Sequence, residues 1–82
     1  MEKWEYLVVE FSQVEKKGMG IAVMADDIYR AHYENGVLLQ DWQEGPTFRR
    51  YLTDAGENGW EFAGNGPPKH GGVTCVFKRS KD

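Results

Sequence analysis

Side chains able to hold a metal are few and scattered in this chain: His32, His70, Asp26, Asp27 and Cys75. Zinc and related ions draw on Cys, His and carboxylates at recurring short spacings, such as i, i+4 on a helix or C-x-x-C. None of the five stands in such a spacing, so His32 reads as a half-exposed strand residue and His70 as a loop residue. Ser12 and Ser80 lie near the ends, and no strained strand-to-helix elbow presents a nucleophile for acyl transfer. Glu57 and Glu61 flank a helix-to-strand turn and could pair as acid and base, but a solvated helix end accounts for both. Cys75, within Val73-Thr74-Cys75-Val76-Phe77, reads as a small buried hydrophobe, because a reactive thiol wants cationic or histidine neighbours. The expectation is a protein with no catalytic residue, no metal and no cofactor.

The stretch from Gly64 to Gly72 is almost pure turn residues and invites comparison with phosphate-cradling loops. Such loops open a helix so that its first N–H groups face the anion. This one leads into a strand, and Pro67-Pro68 remove two donors, so it reads as a turn with room for a partner-binding role. Single-stranded nucleic acids are bound by sheet aromatics set beside a basic groove. Here ten Lys and Arg oppose thirteen Asp and Glu, a net charge of -3, and the basic pairs Arg49-Arg50 and Lys78-Arg79 lie far apart in sequence. Nucleic acid is therefore not an expected partner.

The elements that would position these groups come from 82 residues, enough for one core, so 1–82 reads as a single domain. An apolar fraction of 40% beside a charged fraction of 28% excludes a disordered or fibrous chain. Its longest apolar run, Ile21 to Ala25, is too short for a bilayer core of about 30 Å. The acidic, interrupted start Met1-Glu2-Lys3-Trp4-Glu5-Tyr6 lacks the features of a secretory leader. With one cysteine, no intrachain disulfide can form. The expected setting is the cytoplasm, with no membrane partner.

Residues Trp4 to Phe11 alternate as a strand, Trp4, Tyr6 and Val8 on one face and Glu5, Leu7, Val9 and Phe11 on the other. Residues 12–27 read as a loop with one irregular edge strand over Ile21 to Ala25. Asn35-Gly36, between alternating segments, predicts a type I′ hairpin turn across Asp27 to Trp42. That register sets Glu34 opposite Val37, Tyr33 opposite Leu38 and Arg30 opposite Asp41, with Tyr29, Ala31, Tyr33, Leu38 and Trp42 on one face. Pro46 suits a first helical turn, and Phe48, Tyr51, Leu52 and Ala55 then make one apolar stripe. Asn58-Gly59 ends it. Gly56, costing about 1 kcal/mol against Ala, suggests a close approach of the helix to the sheet. Trp60 to Ala63 and Val73 to Arg79 complete the sheet.

Three blocks of this sequence, Lys3-Trp4-Glu5-Tyr6-Leu7-Val8-Val9, Leu52-Thr53-Asp54-Ala55-Gly56-Glu57-Asn58-Gly59-Trp60-Glu61 and Val76-Phe77-Lys78-Arg79, resemble the signature blocks of a bacterial family. It is the family of short proteins called domain of unknown function 4177, with its W-E-Y strand, G-W-E turn and terminal F-K-R strand. The resemblance implies a small α+β domain and supplies no catalytic residue. The Asp27–Trp42 hairpin is an addition to the short members of that family.

The expected fold class is α+β, an antiparallel sheet of four or five strands with one α-helix packed on one face. A single short helix shields one face of such a sheet at most, about 10 Å of its width. Trp4, Tyr6, Val8, Tyr29, Tyr33 and Trp42 are then the candidate residues of an interface, and a homodimer is the expected assembly. The functional expectation is a non-catalytic cytoplasmic module that self-associates and binds a protein partner. The alternative is a small-ligand-binding protein or minor enzyme with an aromatic pocket near Trp42, Trp60 and His32.

Overall fold

The computed structural model describes residues 3–14, 28–68 and 72–81. Its elements are strand β1 (Trp4–Gln13), β2 (Tyr29–Glu34), β3 (Val37–Leu38), a 3-10 turn (Trp42–Glu44), helix α1 (Phe48–Glu57), β4 (Glu61–Asn65) and β5 (Val73–Ser80). The five strands form one antiparallel sheet in the order β3-β2-β1-β5-β4, so the class is α+β as expected. β1 lies in the middle, and α1 carries the chain from the β3 edge to the β4 edge. The Ile21 to Ala25 segment, like His70, Asp26 and Asp27, lies outside the described residues.

The alternation of β1 becomes the two sides of the sheet. Val9 and Phe11 are fully buried beneath α1, opposite Cys75 and Val73 on β5, while Trp4, Tyr6 and Val8 stay exposed on the other side. Phe11 is the centre of the core. Its ring meets Phe48 edge-on at 4.8 Å and Tyr51 edge-on at 5.3 Å, geometries that suit the aromatic quadrupole. Ala31, Ala55, Cys75 and Phe77 complete the buried cluster, with Leu7, Tyr29, Leu39, Leu52 and Trp60 packed around it.

Helix α1 begins two residues later than proline placement suggested. Thr47 is its cap, the hydroxyl accepting from the Arg50 N–H at 3.3 Å, and Pro46 stands outside the helix. Its end follows expectation: Gly59 takes φ 87, its N–H reaches the Gly56 carbonyl at 3.0 Å, and the Trp60 N–H reaches the Ala55 carbonyl at 3.0 Å. That paired closure is a Schellman motif. Gly56 does not mark a close approach, because a Cβ there would meet nothing within 4 Å. The glycine that closeness does require is Gly72, where a Cβ would run into the Phe11 carbonyl oxygen.

The hairpin turns where Asn-Gly predicts, with Asn35 at φ 50 and Gly36 at φ 82, and it pairs Glu34 with Val37 and Tyr33 with Leu38. Its expected face is only partly right. Against β1, Glu10 pairs with Tyr33 but Phe11 pairs with Ala31, leaving His32 as the extra residue of a β-bulge. The bulge resets the alternation, so Tyr29 and Ala31 face the helix while Tyr33 faces the opposite side. The expected Arg30–Asp41 register is also replaced. Asp41 turns out of the sheet at φ 55, and Thr47 bridges opposite Arg30.

Candidate interaction surface and the helix-side cleft

The side of the sheet away from α1 carries most of the expected interface residues. β1 supplies Trp4, Tyr6 and Val8 there, and β5 supplies Val76 and Lys78 opposite Val8 and Tyr6. β2 and β3 add Tyr33 and Leu38, which face one another in register. Trp4, Tyr6, Val8 and Leu38 are 37%, 57%, 36% and 48% exposed, a level that decides against their being core. The Lys78 ammonium sits 4.7 Å from the centre of the Trp4 ring, a cation–π contact that leaves the apolar neighbours uncovered. Towards the other end of β1 the same face closes over: Thr74 is 4% exposed, and Gly66 packs against its methyl group.

His32 belongs to this face too. Its ring stacks on Trp42 at 3.9 Å and on Tyr33 at 4.3 Å, and its Nδ1 lies 3.0 Å from the Ser12 hydroxyl. The bulge makes this possible by turning His32 and Tyr33 to one side. Of the six interface candidates, the structure therefore gathers Trp4, Tyr6, Val8, Tyr33 and Trp42 on one face and sends Tyr29 to the other. Tyr29 instead lies against the core and accepts from the Gln13 side-chain amide at 3.0 Å through its hydroxyl.

The aromatic pocket expected around Trp42, Trp60 and His32 is not assembled. Trp60 sits on the helix side, beneath the Arg79 guanidinium at 4.1 Å, and His32 and Trp42 stack on the opposite side. What Trp60 lines instead is a cleft of about 230 Å³ shared with Leu7, Glu34, Tyr51, Asp54, Ala55, Asn58 and Arg79. That volume lies below the usual range of about 300–1,000 Å³ for small-molecule sites. Its polar groups are also spent on one another. Arg79 donates through Nε to the Glu5 carboxylate and through Nη1 to the Asn58 carbonyl at 2.9 Å. The Tyr51 hydroxyl donates to the Glu34 carboxylate. Burial first, then that hydrogen bond and the Glu34 charge, push the Tyr51 pKa well above its ordinary value. A phenol held protonated this firmly is a structural donor rather than a base.

The remaining chemistry-bearing residues are dispersed. Cys75 is buried in the core at 1% exposure, and burial pushes its thiol pKa up, away from the reactive thiolate. Glu57 is exposed at the end of α1, while Glu61 stands opposite Lys78 on β4, so the two do not form a matched acid–base pair. Among the described residues, no group of three or more His, Cys, Asp and Glu is placed to hold a metal ion, and no helix is long and apolar enough to cross a membrane.

Sequence reasoning missed the Arg79 clamp, which ties together Glu5, Asn58 and Trp60 from distant parts of the chain. The signal was present: each of the three resembling blocks contributes to it. It also missed Asn35, whose side chain accepts from the Val8 N–H at 2.8 Å and donates to the Tyr6 carbonyl at 3.5 Å. No family model matches this chain, and neither does any curated protein or any solved structure.

Proposed function

We propose that this chain is a small non-catalytic cytoplasmic module that associates with a second copy of itself and presents its loops to a protein partner. The observation that carries the reading is the row of Trp4, Tyr6 and Val8 along β1, exposed on one side of the sheet, with Leu38 exposed on the same side across Tyr33. Apolar surface left uncovered in this way is the usual mark of an association site. The helix-side cleft is small and its charged groups are already paired, and the apolar side chains exposed on that side, Val37 and Phe62, lie apart on the two edge strands β3 and β4. The resemblance to the domain of unknown function 4177 family belongs to the same proposal. What supports it is that the W-E-Y, G-W-E and F-K-R blocks meet at Arg79.

Sedimentation across a concentration series tests the reading. A dimer that dissociates on replacement of Tyr6 by Glu, with the circular dichroism spectrum retained, is the expected result. A monomer at high micromolar concentration overturns it.

A further inference from the structure

The backbone of β1 carries more information about this association than its side chains do. Odd-numbered residues of β1 exchange hydrogen bonds with β5, as the Lys81 N–H to Lys3 carbonyl contact at 2.9 Å continues. Even-numbered residues therefore turn their N–H and C=O groups towards β2. β2 satisfies that side only as far as Val9, which pairs with Glu34. At Val8 the turn takes over: the Asn35 N–H reaches the Val8 carbonyl at 2.8 Å, and the Asn35 side-chain oxygen receives the Val8 N–H at 2.8 Å. Beyond Val8, β3 is too short and too far along to help. Trp4 and Tyr6 are left with outward backbone groups whose one described contact is the long 3.5 Å approach of Asn35 Nδ2 to the Tyr6 carbonyl. This is a short, open strand edge in the body of the sheet, of the kind that templates pairing with another chain.

We infer that a second copy of this chain pairs antiparallel with that edge, Trp4 of one copy opposite Tyr6 of the other. The inference rests on the self-association proposed above and adds a strand-edge contact to it, one that leaves Val8 and Leu38 open on the sheet face. Three features favour a second copy over an unrelated strand. The outward groups are self-complementary: in this register the N–H and C=O of Trp4 and Tyr6 on each copy meet those of Tyr6 and Trp4 on the other, as in a hydrogen-bonded antiparallel pair, the Tyr6 carbonyl using its second lone pair beside Asn35. Register is set by Asn35, which occupies the next position at Val8 and stops the partner strand there. On the open face the pairing brings the exposed Trp4 ring beside an exposed Tyr6 ring, a favourable cross-strand pair. The register also places the two Glu5 residues opposite each other, a repulsive arrangement for bare carboxylates. Here each carboxylate is already bound by Arg79 of its own chain, so the twofold brings together two compensated pairs.

Amide hydrogen exchange at low and high protein concentration, read by NMR alongside sedimentation, tests the geometry. The expected result is protection of the Trp4 and Tyr6 amides that rises roughly tenfold or more with dimer formation, while Val8 and Leu7 stay protected throughout. Replacing Tyr6 by Pro removes one outward N–H per copy without touching the ladder to β5, and should weaken the dimer about tenfold or more. A dimer whose Trp4 and Tyr6 amides remain unprotected overturns the edge pairing and leaves the broader self-association intact. A monomer at every concentration overturns both, and protection that appears only on adding a different strand-forming protein replaces the second copy as occupant.

Discussion

Phe11 and Tyr6 lie on opposite pleats of the same strand and report on two kinds of surface. Phe11 is fully buried between two edge-on rings, whereas 57% of Tyr6 is exposed beside a lysine. Both are large aromatics with similar strand propensity, so the difference arises from what crosses each face. One short helix follows one side, and its apolar stripe is consumed there. The lesson is that the two pleats of one strand are used differently in this fold: the helix side holds the chain together, and the other side leaves Trp4, Tyr6 and Val8 exposed.

That contrast can be broken by mutation. Phe11→Ala should cost about 3–5 kcal/mol by urea denaturation, whereas Tyr6→Ala in the dilute protein should cost within about 0.5 kcal/mol. Equal losses would mean that the open side is core after all. Gly72→Ala comes next, at about 1–3 kcal/mol, because the added methyl must displace the β1 backbone at Phe11. A neutral result there would show that the approach of the two strands is looser than described.

Alkaline pH sharpens the same comparison. The folded pKa of Tyr51 lies above its unfolded value of about 10, so the neutral phenol is favoured by folding. Its contribution is complete below that pH and is lost as pH rises towards the folded value. Thermal unfolding should show a stability decline above about pH 10 that is shallower in Tyr51→Phe. The smallest effect is a gain. Gly56→Ala fills open space on an exposed helix position and should stabilise by about 0.5–1 kcal/mol.

Much of this architecture is legible from local pattern. Trp4 to Phe11 alternates, Phe48, Tyr51, Leu52 and Ala55 form a stripe, and Asn35-Gly36 and Gly59 supply the positive φ values that a hairpin and a helix end need. What pattern could not supply depends on partners remote in sequence. The bulge at His32 is a mismatch between β1 and β2, and nothing within Tyr29 to Glu34 announces it. Gly72 looks like any loop glycine until Phe11 is placed behind it, whereas Gly56 looks constrained until its surroundings prove empty. The candidate surface was half legible: Trp4, Tyr6 and Val8 follow from alternation alone, and the fate of Tyr29 turns on the bulge.

The position of β5 has a consequence for how the chain is made. β1 leaves the ribosome first, yet the strand that flanks it along its whole length is the last to be made, with Trp4 opposite Ser80. Until then β2 is the one described strand hydrogen-bonded to β1, so nascent chains must wait in a half-built form, which favours slow, late closure over stepwise growth. Because Lys3 and Lys81 are bonded neighbours, anything joined before β1 or after β5 departs from a single spot. A short covalent link across that spot would leave the ladder undisturbed and let the chain be opened elsewhere.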